Sequence, residues 1–123
     1  MKTLLIVDDE HAIVDVLQGL LGDEGYRVVA AANGREALAR LSEGTPDLAL
    51  VDVMMPLMGG RELVRAMAAD PALAKIPVVM MSAAPRAILF PAGDDTPFAA
   101  FLAKPFDVEE LLALIRRLLS QEA

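Results

Sequence analysis

Leu48-Ala49-Leu50-Val51-Asp52 is the stretch on which the rest of the chain is organised. Four apolar residues in a row, with Pro46 ahead and Pro56 behind, leave too little room for a helix. A short apolar run between such breakers reads as a strand buried on both faces. The run stops on a carboxylate. Val53-Met54-Met55-Pro56 and the pair Gly59-Gly60 follow, so the chain leaves the sheet through a loop directly after Asp52. One aspartate at a strand end is as readily a turn former as a functional group. The other strands decide between the two.

Before it, Thr3-Leu4-Leu5-Ile6-Val7 is a second apolar run, and it also ends on carboxylates, Asp8-Asp9. Ile13, Val16, Leu17, Leu20 and Leu21 then recur at helical spacing, with Asp15 and Gln18 on the wet side. Asp9 or Glu10 caps the start of this helix and Gly22 or Gly25 its end. Arg27-Val28-Val29-Ala30-Ala31 is the next strand, and Asn33-Gly34 turns into a helix carrying Ala37, Leu38 and Leu41.

Beyond it, a helix is expected over residues 60–69, with Leu63 and Met67 inward and Arg61, Glu62 and Arg65 outward. Ile76-Pro77-Val78-Val79-Met80-Met81 reads as a fourth strand ending at Ser82, and Ala99-Ala100-Phe101-Leu102-Ala103 as a fifth ending at Lys104-Pro105. The last helix has Asp107 as N-cap, Glu109 and Glu110 in a first turn that favours negative charge, and Arg116 and Arg117 near the end that favours positive. Its inward stripe reads Val108, Leu111, Leu112, Ile115 and Leu119.

Strands alternating with amphipathic helices give βαβ units, hence an α/β fold with a parallel sheet covered on both faces. Such strands all point the same way, so every strand's carboxyl end lies on one rim. Asp8, Asp9, Asp52, Ser82 and Lys104 therefore converge there, at the edge where open α/β sheets bind ligands. Clustered carboxylates do not all stay ionised without a neutralising cation. An all-oxygen, water-exposed donor set suits Mg²⁺. Lys104, Ser82 and the cation then form a receptor for phosphoryl oxygens, with the Asp52 carboxylate as the nucleophile in line. His11 is near in sequence, but a lone histidine on a helix is more often a surface or packing residue than a ligand. A Lys104 that merely bridges two aspartates is the plain structural alternative.

Composition narrows the class. The chain has 123 residues, 55% of them hydrophobic and only 4% aromatic, which gives one domain over residues 1–123 with an aliphatic core. Cysteine is absent, which excludes a disulfide framework and thiolate metal sites. No stretch approaches the ~20 apolar residues of a membrane span, and the N-terminal apolar run is too short for a signal peptide. A cytoplasmic protein with no membrane partner is expected. The net charge of −7 argues against nucleic-acid binding.

Asp8-Asp9, the loop Asp52-Val53-Met54-Met55-Pro56 with Gly59-Gly60, Ser82-Ala83 and Lys104-Pro105-Phe106, in this order along nearly the whole chain, resemble the receiver domain of bacterial two-component response regulators. The resemblance implies a flavodoxin-like (βα)5 fold with a five-stranded parallel sheet in the order 2-1-3-4-5. It implies that Asp52 accepts a phosphoryl group from a histidine kinase or histidine phosphotransfer protein and thereby switches a contact surface for a downstream protein. By the same resemblance Asp9 and Asp52 ligate Mg²⁺ directly, Asp8 does so mainly through water, and the Met54 carbonyl completes the protein's share. Lys104 pairs with the phosphoryl group, Ser82 moves to hydrogen-bond it, Phe101 holds the place of a switch aromatic, and Lys104-Pro105 is a cis peptide. Such a protein promotes its own phosphoryl transfer and dephosphorylation and is not an enzyme acting on other substrates.

Two other readings compete: a receiver-like scaffold independent of phosphorylation, and a Mg²⁺ phosphatase with an aspartyl-phosphate intermediate. The phosphatase wants an acid/base carboxylate two residues after the nucleophile, where this chain has Met54. The chain also departs from the family. Between Ser82 and Phe101, where a full fourth helix belongs, it has Pro85, Pro91, Gly93 and Pro97. Proline inside a helix costs ~3 kcal/mol. A fourth helix truncated to about one turn, over residues 86–89, or replaced by an irregular, mobile loop is expected, with Ile88-Leu89-Phe90 either packed on the sheet or exposed.

Overall fold

The computed structural model describes residues 1–121. Its elements in chain order are β1 (Thr3–Val7), α1 (His11–Asp23), β2 (Arg27–Ala31), α2 (Gly34–Glu43), β3 (Leu48–Asp52), α3 (Gly60–Ala68), β4 (Val78–Ser82), α4 (Arg86–Leu89), β5 (Ala100–Ala103) and α5 (Val108–Ser120). Every residue of β3 and β4 is buried, as expected of central strands covered on both sides. All four pairings are parallel and the order is β2-β1-β3-β4-β5. This is the flavodoxin-like (βα)5 arrangement.

The two-residue period of the strands divides the core into two layers. Leu4, Ile6, Leu48, Leu50, Val79 and Met81 face Leu17 and Leu21 of α1 and Leu111 and Ile115 of α5. Leu5, Val7, Ala49, Val51, Val78 and Met80 face Ala37 and Leu41 of α2 and Leu63, Val64 and Met67 of α3. Full burial of one such side chain is worth roughly 1.5–3 kcal/mol against exposure, so these layers supply most of the driving force for the fold.

Boundaries and facings depart from expectation at several positions. Helix α1 buries Val14, Leu17 and Leu21, and Val16 is 65% exposed. At 100° per residue Val16 lies across the helix from Val14. Val108 is 40% exposed in the first turn of α5, flanked by exposed Asp107, Glu109 and Glu110, so the inward stripe starts at Leu111. Glu10 is the N-cap residue of α1 but makes no side-chain cap, and α1 ends at Asp23, with Glu24 as C-cap residue ahead of Gly25, whose φ of 92° suits glycine. Strand β4 starts only at Val78, after Pro77, and β5 starts at Ala100. Helix α3 ends one residue early, at Ala68.

Helix α4 is the single turn that the prolines demanded, with Pro85 as its N-cap residue. Both alternatives for the hydrophobic trio after Pro85 are realised. Leu89 and Phe90 pack against the α2/α3 side of the core, and Ile88 is 73% exposed. Among the described residues no helix is long and apolar enough to cross a membrane.

Candidate functional site

The carboxyl ends of β1, β3, β4 and β5 bring the expected groups to one rim. The register places Asp52 beside Met81 and Ser82 beside Ala103, one residue short of Lys104. The backbone N–H of Lys104 donates to the Ser82 carbonyl (2.9 Å), so β5 hands the lysine over at the end of β4. The Lys104-Pro105 peptide is cis, as the resemblance implied.

Lys104 reaches back across the rim. Its Nζ lies 2.7 Å from Asp8 Oδ2, 3.4 Å from Glu10 Oε1 and 3.5 Å from Asp52 Oδ2. The Asp8 side chain is fully buried and that of Asp52 nearly so. Asp8 accepts a second hydrogen bond, from the Glu10 N–H (2.9 Å), so both its oxygens are engaged. Carboxylate oxygens of Asp8, Glu10 and Asp52 lie within 4.8 Å of one another, near enough to share one cation. Asp9 is exposed and stands outside that trio. Glu10 was not anticipated; the third acid in the run Asp8-Asp9-Glu10 was its only signal. His11 is exposed at the first position of α1.

Burial lifts the Asp52 carboxyl to about 6 from its ordinary 3.8. The Lys104 charge pulls it down, neighbouring Asp8 pushes it up, and hydrogen bonds from the Met54 N–H and from Lys104 favour the anion. Burial pulls Lys104 downward, but the hydrogen bond from its ammonium to Asp8 and the charges of Asp52 and Asp8 outweigh this and hold it above the usual lysine value. The rim is thus an acidic site with one cation already in place.

The loop after Asp52 is built tightly. The Val53 N–H donates to the Met81 carbonyl (2.9 Å), and the Gly60 N–H donates back to the Val53 carbonyl (3.0 Å). A Cβ on Gly60 would run into the Asp52 carbonyl oxygen, so only glycine lets α3 start this close to β3. Leu57 holds φ at +65° in a turn closed by the Met58 N–H and the Pro56 carbonyl, a strained conformation for a branched side chain. Met54, two residues after Asp52, is 66% exposed. Ser82 is buried, and its Oγ accepts the Ala84 N–H at 3.1 Å.

This geometry matches a known family along nearly the full chain. A profile of the response regulator receiver domain matches residues 4–116. The chain belongs to the response regulator receiver family. Response regulator Rre1 of Synechocystis is 36% identical over 121 residues, which are 98% of this chain and 52% of that protein. The chain spans about half the length of the curated relatives it matches. Among solved structures, chemotaxis response regulator CheY4 of Vibrio cholerae superposes with a TM-score of 0.88 at 34% identity, over 96% of this chain and 98% of that one. The receiver domain of sensor histidine kinase PA1611 from Pseudomonas aeruginosa, solved with magnesium coordinated in its active-site cleft, gives 0.85 at 26% identity, over 98% of each chain. This receiver is a two-component signalling domain.

Proposed function

We propose that this receiver accepts a phosphoryl group on Asp52 from a phosphohistidine of a histidine kinase or histidine phosphotransfer protein, with Mg²⁺ in the acidic cleft. The observation that carries the reading is the junction of Asp8, Glu10 and Asp52 with Lys104 at one end of the sheet. The all-oxygen donor set fits a hard divalent ion, and the buried, partly uncompensated Asp52 has reason to welcome one. Asp9, Asp52 and the Met54 carbonyl would hold the ion, with Asp8 beside them, as the family resemblance implies. The exposed Asp9 side chain would have to turn inward for this, while Glu10 would stay on Lys104.

When bound, Mg²⁺ offsets negative charge on the phosphoryl oxygens and aligns them for in-line transfer. The chain's residues do the rest. An Asp52 Oδ attacks phosphorus, the O–P bond forms as the N–P bond of the phosphohistidine breaks, and the donor imidazole leaves with the electron pair and takes up a proton. Lys104 swings from Asp52 to a phosphoryl oxygen while keeping Asp8 or Glu10. Ser82 leaves the Ala84 N–H and donates to another phosphoryl oxygen. Water later hydrolyses the acyl phosphate, so the domain sets the lifetime of its own signal and acts on no other substrate. The downstream target is a protein, in keeping with the acidic surface, and neither nucleic acid nor membrane is a partner of this domain. The reading places the domain, residues 1–123, in the cytoplasm. Met54 cannot serve as an acid or base, which leaves the phosphatase reading without its second catalytic group.

Titration with beryllium fluoride, with and without Mg²⁺, on wild type and Asp52→Asn tests this by backbone amide shifts. A metal-dependent response at residues 52–54, 82–84 and 104 in wild type alone is expected. A flat response in both proteins overturns the reading in favour of a scaffold.

A further inference from the structure

The chain that replaces a long fourth helix is fastened to α3. Arg61, the second residue of α3, donates from one guanidinium nitrogen to Asp94 and from the other to the Leu89 carbonyl. Its guanidinium also stacks 4.9 Å from the centre of the Phe90 ring. One turn later Arg65 donates to Thr96 Oγ1 at 3.0 Å and lies 3.6 Å from both Asp94 and Asp95. The Asp94 side chain is only 7% exposed and caps its own turn by accepting the Thr96 N–H at 2.9 Å and the Thr96 hydroxyl. Bonds to Thr96, and then the two arginines, hold its pKa below the usual range. A forked guanidinium that satisfies a carboxylate and a carbonyl while stacking on a ring fixes geometry in a way that lysine does not.

The fastening positions three aromatic rings. Phe90 lies 4.7 Å from Phe98 and 6.3 Å, edge-on, from Phe101 of β5. Arg86 stacks on the Phe98 ring at 5.2 Å. Phe90 therefore covers Phe101 and is itself backed by Phe98, and all three are half-buried. Both ends of the fastening lead to the phosphorylation rim. Arg61 follows Gly60, whose backbone is pressed against the Asp52 carbonyl. At the other end, the Ala84 N–H that begins the path into α4 is held by Ser82 Oγ.

We propose that residues 86–98 form a lid over Phe101, clamped shut on α3 by Arg61 and Arg65 through Asp94, and that phosphorylation of Asp52 loosens it. The loosening rests on the phosphoacceptor reading above; the clamp itself does not. When Ser82 turns to the phosphoryl group, the Ala84 N–H loses its acceptor, and the lid is left to its α3 anchor and to the packing of Leu89, Phe90 and Phe98 on the core. Opening uncovers the half-buried Phe90 and Phe98 rings beside the already exposed Ile88, which enlarges the apolar surface at this edge.

Amide hydrogen exchange of the full chain tests this, on wild type, Arg61→Ala and Asp94→Asn, each with and without beryllium fluoride and Mg²⁺. Asp94→Asn keeps an oxygen for the Thr96 N–H and removes only the charge, so it isolates the clamp if Arg61→Ala does not fold. The expected result is exchange at residues 86–98 at least 10-fold faster in the variants, with β1, β3 and β4 unchanged, and faster lid exchange in wild type on adding the phosphoryl mimic. Wild-type protection of residues 86–98 in a folded Asp94→Asn variant overturns the clamp. A mimic that shifts residues 52–54 and 82–84 but leaves lid exchange untouched overturns the coupling while the phosphoacceptor reading stands. A mimic that shifts neither defeats that reading, and the variants without mimic still decide the clamp.

Discussion

The ammonium of Lys104 lies 2.7 Å from Oδ2 of Asp8, a residue 96 positions earlier in the chain, and both side chains are all but closed off from solvent. The pair joins the last strand of the sheet to the first inner one. The same ammonium lies 3.5 Å from Asp52 Oδ2, and on the phosphoacceptor reading proposed above it is this second, longer contact that a phosphoryl group displaces.

Removing the lysine leaves Asp8 and Asp52 buried without their cation. Breaking a buried pair from one side typically costs about 3–5 kcal/mol. Lys104→Met is expected to lose several kcal/mol of that order in urea unfolding with a chelator present. Mg²⁺ should restore a part of it by supplying the missing charge. A chelated variant as stable as wild type would show that the lysine contributes no net stabilisation.

The elevated Asp52 carboxyl makes the metal-free protein more stable in mild acid. Unfolded, this group titrates near 3.8; folded, it titrates near 6, so the folded state holds the extra proton between those values. Stability from this group therefore rises as pH falls from 7 through 6 and levels off below about 4. The full effect is at most roughly 3 kcal/mol at about 1.4 kcal/mol per tenfold. Asp52→Asn should flatten this profile and melt above wild type at pH 7.5 under chelation. Thermal melts across pH 4–8 read it directly. A chelated variant melting well below wild type at neutral pH contradicts the assigned repulsion and burial.

Gly60→Ala places a methyl group against the Asp52 carbonyl oxygen and 3.0 Å from Val51 Cγ1. Neither a β3 carbonyl nor a core valine can step aside cheaply. The expected cost is about 1–3 kcal/mol, as for overpacking in a close-packed interior. The start of α3 and the acceptor loop move with it, so Mg²⁺ affinity falls as well. Gly59→Ala, whose added carbon would sit 3.2 Å from the Val53 carbonyl oxygen, should cost less. Equal stability of the Gly60 variant and wild type in denaturant melts would contradict the close packing.

What the sequence makes legible follows from which forces leave a pattern. Strands β1, β3 and β4 are buried on both faces, so they appear as nearly unbroken apolar runs, and the polar residues where they stop, Asp8, Asp52 and Ser82, mark the rim. The prolines that shorten α4 are equally plain, because their effect is local. Val16 and Val108 mislead because spacing gives a helix a stripe but does not say where the sheet beneath it ends. Arg61 and Arg65 read as solvated because they lie on the polar face of α3. Their partners Asp94 and Thr96 belong to a loop without periodicity, and a contact across 31 to 33 positions leaves no mark on either segment. Glu10 was obscured in a similar way: only the fold brings it to Lys104.

On the phosphoacceptor reading, the lifetime of the phosphorylated state is expected to be governed by the side chains of Met54, two residues after Asp52, and Ala84, two residues after Ser82. Hydrolysis of an acyl phosphate needs a water aligned opposite the leaving carboxylate, and a group that hydrogen-bonds that water lowers the barrier. Exposed Met54 and half-buried Ala84 offer no such group, so Asp52 phosphate should persist. Met54→Asn supplies an amide at a solvent-open position without disturbing the core. It should shorten the lifetime by roughly 10-fold, equivalent to about 1.4 kcal/mol off the barrier. Met54→Leu, which repeats the bulk and lacks the amide, should leave the lifetime within about twofold of wild type, a barrier change under ~0.5 kcal/mol. Decay of radiolabelled phosphoprotein, loaded from a phosphohistidine donor and then separated from it, measures both. A leucine variant that decays as fast as the asparagine one would assign the effect to lost shielding by the methionine and not to water positioning.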